Sequence, residues 1–99
     1  MRDTASAGHQ QLLNELKEEK AAALRRISNT LESLIGQLHA SRERVRRAAG
    51  VERERELAAW RALLESAVKY RWYLEVQREA VGLRRHDVLD EFYHLPTLE

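Results

Sequence analysis

The residues with chemical potential in this 99-residue chain gather towards its C-terminal end. Gln77, Arg78 and Glu79 interrupt an otherwise apolar helical pattern, and His86, Asp90, Tyr93 and His94 follow shortly after. Two readings compete for them. In one, Gln77 or Arg78 lines a polar pocket with His86 and Tyr93 folded back from the closing segment. In the other, Arg78 pairs with Glu75 on a solvated ladder while Gln77 satisfies a buried backbone group at the turn. Successive helical residues point about 100° apart, so Gln77, Arg78 and Glu79 form no cluster by themselves. The structural reading is favoured, because ion-pair ladders are common and polar clefts are few.

His86, Asp90 and His94 recur every four residues, which invites a metal site. The two histidines would then stand about 12 Å apart along a helix, whereas a zinc–nitrogen bond is about 2.0–2.1 Å long. One ion cannot take both. His39 falls on the outward side of the first helix, so no metal is expected. The chain has no cysteine, which removes disulfide and thiolate chemistry. Ser28, Ser33, Ser41 and Ser66 are spread along helices, none in a glycine-flanked elbow, and no glycine-rich phosphate loop exists. The pair Glu18-Glu19 lies on a surface helix with nothing near to tune it. No catalytic residue and no cofactor are expected, and the chain does not read as an enzyme.

Six arginines, Arg42, Arg44, Arg46, Arg47, Arg53 and Arg55, crowd a short stretch that could form a basic patch. Weak RNA or ribosome association through that patch is the alternative function. Glu43, Glu52, Glu54 and Glu56 are interleaved with it and cancel most of its field, so a salt-bridge-laced turn is the preferred reading. Gly82 and Val88 keep a helix-turn-helix spacing. Arg78, however, occupies a place that wants a small buried residue, and Asp87, Asp90 and Glu91 would repel phosphates. The net charge of +1 supplies no long-range attraction to nucleic acid or anionic lipid. No apolar run approaches the roughly 20 residues of a membrane span, and no secretory signal is evident. The cytoplasm is the default location.

The elements that must position these residues are helical throughout. Four glycines, one proline and 33% charged residues describe a single small helical domain. Residues 1–8 are small and polar and predict a mobile tail, with the domain spanning 9–97; Leu98 and Glu99 resemble a cloning remnant. Over 10–48, Leu24, Ile27, Leu31, Leu34, Leu38, Ser41, Val45 and Ala48 follow gaps of three and four. That is a heptad seam. Leu12, Leu13 and Leu16 sit upstream of a stutter at Lys20. Gly50 predicts the helix stop, and so short a connection folds the next helix back antiparallel.

The second helix, over 52–81, opens with a stripe of Leu57, Trp60, Leu64 and Ala67, widened by Leu63 and Val68. Arg71, Glu75 and Arg78 then take that side, and the apolar side becomes Tyr70, Tyr73, Leu74, Gln77 and Val81, with Trp72 and Val76 adjoining. An arc so wide needs more than one neighbour. After Gly82, Asp87 can cap a short helix whose Val88, Leu89 and Phe92 fold over Trp72 and Val76 before Pro96 ends it. The fold class is therefore all-α, an antiparallel helical hairpin of two long helices with a short C-terminal helix. Dimerisation would complete it as a four-helix bundle. The expected core is Leu24, Ile27, Leu31, Leu34, Leu38, Trp60, Leu64, Leu74 and Val81. The expected role is a structural or protein-interaction module, with a homodimer and a further protein as partners.

The stretch WYLEVQREAVGLRRHDVLDEFYHLP resembles the C-terminal signature of a family of small bacterial all-helical proteins of unknown function. The residues that carry the likeness are Trp72, Tyr73, Val76, Gln77, Arg78, Glu79, Gly82, Leu83, Arg84, His86, Tyr93, Leu95 and Pro96. A weaker likeness lies at Glu15, Glu19, Lys20, Leu24, Leu31 and Glu32. The resemblance implies an all-helical fold and supplies no activity and no catalytic residue.

Overall fold

The computed structural model describes residues 2–98, with side chains from residue 6 onward. Three helices follow one another, α1 (Arg2–Arg47), α2 (Gly50–Ala80) and α3 (Asp87–Phe92), with no strand among the described residues. No helix among them is long and apolar enough to cross a membrane. The molecule is a rod of 75 × 22 × 14 Å.

The reversal between α1 and α2 takes only Ala48 and Ala49. Ala48 closes α1 by donating its N–H to the Arg44 carbonyl, Ala49 is extended, and Gly50 has φ of 61°. Glycine is needed here, because a side chain at that φ crowds its own backbone. The expected stop residue is thus the first residue of α2, not the cap of α1. The antiparallel hairpin follows as predicted from the shortness of the turn.

Two rows of side chains hold the hairpin. Leu31, Leu38 and Val45 on α1, and Trp60, Ala67 and Leu74 on α2, are buried at seven-residue intervals. Such spacing keeps one strip of each helix turned to its neighbour over several turns. Leu24, Ile27, Leu34, Leu57, Leu63 and Leu64 pack around the rows. The α2 row runs from Trp60 through Ala67 to Leu74, a member of the second apolar side expected for this helix. Tyr70 of that side packs against the core, Tyr73 and Gln77 are half-buried, and Arg71, Glu75 and Arg78 are half-buried on the other flank, so the buried arc widens along α2. The C-terminal segment reaches Arg71 through Asp90 and Arg78 through the Arg85 carbonyl. Val81 leaves the expected core. It lies past the end of α2 and is exposed.

α2 stops in a Schellman turn. Gly82, with φ of 90°, donates its N–H to the Glu79 carbonyl, and Leu83 donates to the Arg78 carbonyl. His86, not Asp87, then takes the cap position of α3, and Asp87 sits in its first turn, where the helix dipole favours an acid. Leu89 is buried, while Tyr93, Leu95 and Leu98 pack against the core and Pro96 is buried. At the far end Arg42 donates to the Thr97 carbonyl at 3.3 Å. The segment therefore lies along the flank of the hairpin. It does not cover Trp72 and Val76 as expected: Trp72 is 57% exposed, Val76 is exposed, and Phe92 is 70% exposed. Arg71 pairs with Asp90, which draws the segment to the arginine side of α2.

α1 is 46 residues long and α2 is 31. The difference projects beyond the hairpin as a free helical arm of about 22 Å. Helix continues through residues 2–8, where the composition predicts a tail, since no proline or cap interrupts it. Leu98 joins the core margin. Met1 and Glu99, covered by the tail and remnant readings, lie outside the described residues.

Leu38→Ala should lower stability by about 2–5 kcal/mol, as core truncations do, whereas Trp72→Ala should cost less than about 1 kcal/mol. Urea melts of the two variants check the contrast. Ser41 is fully buried with its hydroxyl unpartnered, so Ser41→Ala should raise stability by about 1 kcal/mol on the same assay.

Candidate functional site

Of the polar residues singled out by sequence, Arg78, Glu79 and His86 meet at the turn between α2 and α3. Arg78 sits in the last turn of α2, half-buried, and its Nη2 donates to the Arg85 carbonyl at 2.8 Å. His86 Nε2 stands 2.9 Å from Glu79 Oε1. A carboxylate only accepts, so Nε2 carries the proton of that bond. Arg85 reaches forward to Asp87 at 3.0 Å. Together these bonds tie the last turn of α2 to the first residues of α3 across the Gly82 reversal. The expected ladder between Arg78 and Glu75 is replaced by a bond from Arg78 to backbone, because the returning chain presents an unsatisfied carbonyl there.

Of the four pocket candidates, Arg78 and His86 share this turn. Gln77 is half-buried about 100° round the helix from Arg78 and makes no side-chain hydrogen bond among the described residues. Tyr93 packs against the core. The nearest concavity is open, has a volume of about 390 Å3, and is bordered by Glu79 and Arg84. Its carboxylate is already held by His86. The bonds of the cluster fasten α2 to the start of α3. Among the described residues no three of His, Asp and Glu converge as metal ligands. Asp90 is held by Arg71 and His86 by Glu79.

At the hairpin tip the six arginines are not one cationic surface. Arg44 meets Glu56 at 3.2 Å, Arg46 meets Glu43 at 2.9 Å and Arg55 meets Glu52 at 3.8 Å. Arg42 is turned to Thr97 and to His39 Nδ1. Arg47 and Arg53 have no ion pair among the described residues. Exposed pairs of this kind contribute about 0–1 kcal/mol each. They do cancel most of the local charge.

Some apolar residues that the sequence set against neighbours are left in water. Leu12, Leu13 and Leu16 are exposed on the free arm, and Val68, Trp72 and Val76 form an exposed row at i, i+4 and i+8 on α2. The Trp72 indole lies 5.6 Å from the Tyr73 ring, and Tyr73 meets Tyr70 edge-on at 5.4 Å. An open groove of about 470 Å3 marks the step where α2 ends against α1, lined by Lys17, Lys20, Ala21, Leu24, Ala80 and Val81. The signal for the outward row was present in its four-residue spacing. The Arg71–Asp90 pair had none, since its partners are far apart in sequence.

Comparison with protein-family models, with characterised proteins and with solved structures finds no match.

Gly82→Ala tests the turn. A Cβ there would meet nothing within 4 Å, so the left-handed backbone alone is penalised. The expected loss is about 1–2 kcal/mol, read as a lower thermal midpoint with unchanged helicity.

Proposed function

We propose that this chain is a non-catalytic structural or protein-interaction module that works as a small homodimeric helical bundle. The observation behind the reading is the pair of apolar surfaces its own chain leaves uncovered, Leu12, Leu13 and Leu16 on α1 and Val68, Trp72 and Val76 on α2. Scattered apolar residues are normal on a surface, but rows at helical spacing mark contact faces. The polar turn supports the same reading. Arg78, Glu79, Arg85, His86 and Asp87 are engaged with each other or with backbone, which suits a fastening.

Solution mass by light scattering tests the assignment. A species of twice 11.5 kDa at submillimolar concentration is expected, and a monomer throughout that range overturns it.

A further inference from the structure

We infer that the second copy docks by reciprocal exchange of arms: the free end of each α1 lies along the outward Val68–Trp72–Val76 row of the other copy's α2. The inference rests on the homodimer reading and names the surfaces that make it.

Three features of the fold lead there. The first is direction. Leu13 and Leu16 stand on the same side of α1 as Leu31, Leu38 and Val45, within about 60° at 100° per residue. The arm therefore presents towards the α2 side a strip that α2 is too short to cover. Val68, Trp72 and Val76 lie about 100°, 140° and 180° round α2 from its buried row, so Trp72 and Val76 face away from α1 in that direction. Both uncovered strips thus look out from one side of the molecule.

The second feature is closure. When two complementary strips share a side, a two-fold axis can satisfy both at once. Two antiparallel copies can place their α2 helices end to end, each flanked by its own α1 on one side and by the other copy's arm on the opposite side. Strips on opposite sides would instead propagate into an open chain. In the closed arrangement a cross-section holds α1, α2, the C-terminal segment and the borrowed arm, a four-element bundle.

The third feature is extent. Each lap is a strip of about 22 Å by about 10 Å on each partner. Two laps bury on the order of 1,000 Å2, at the lower edge of specific interfaces, while one lap falls well below it. The arm also gains most from a partner. It projects without a neighbour, and a lone helical segment of about 15 residues is marginal in water.

The chain lacks cysteine, which makes the geometry directly testable by crosslinking. His9→Cys and Val76→Cys chains are prepared separately, mixed, and treated with a short bismaleimide. Cross-chain product should form in the mixture and exceed the product of either variant alone several-fold. In parallel, Leu13→Glu/Leu16→Glu and Trp72→Glu should each shift the light-scattering mass from dimer to monomer with helicity by circular dichroism retained. A wild-type chain that is monomeric removes the homodimer reading and this one with it. A wild-type dimer that gives no excess of mixed product, or that survives Trp72→Glu, keeps the dimer and overturns the exchange of arms.

Discussion

The whole molecule depends on two facing rows repeated every seven residues, Leu31, Leu38 and Val45 against Trp60, Ala67 and Leu74. A pair of helices buries only the strip where they touch. Everything else about this chain is a response to that limit. A small domain hides a modest share of its surface and has little stability to spare, so each uncovered strip matters. One flank of the hairpin is covered internally by Leu89, Tyr93, Leu95, Pro96 and Leu98. The arm of α1 and the outward row of α2 are not.

That partial cover explains why arginine, and not an apolar residue, stands at 71 and 78. The segment after α2 is too short and irregular to satisfy its own backbone. Arg78 supplies a donor to the Arg85 carbonyl, and Arg71 anchors Asp90 on α3. A guanidinium on a long apolar stem can lie across a hydrophobic strip and still present several donors in one plane. Of the residues that suggest a pocket when read in sequence, Arg78 and His86 bond across the turn between α2 and α3 in space.

The same economy shapes the hairpin tip. Arginines and glutamates alternate there on both helices, and Arg44 with Glu56 joins α1 to α2 while Arg46 with Glu43 and Arg55 with Glu52 stay on one helix. Charge at this end is balanced locally, leaving only modest attraction for a polyanion. The apolar surface is concentrated at the opposite end, around the step where α2 finishes beside Lys17 and Lys20. The two ends of the rod therefore differ in character, charged and partly paired at the turn, apolar and uncovered at the arm.

Much of this was legible in the residues alone. The gaps of three and four from Leu24 to Val45 predict a helix with one apolar strip, Gly50 favours a reversal over a continuous helix, and Gly82 predicts a stop, because these depend on local periodicity and on backbone angles that only glycine adopts without cost. The ion pairs of Arg44, Arg46 and Arg55 at the tip were also readable, since their acids lie close in sequence. What only the tertiary structure decided was which side of α2 the closing segment would take. Trp72 and Val76 offer apolar area and Arg71 and Arg78 offer donors, and no local rule ranks one against the other. The choice is made by where the Gly82 turn points and by bonds between residues as distant as Arg71 and Asp90, so it exists only once the chain has folded back on itself.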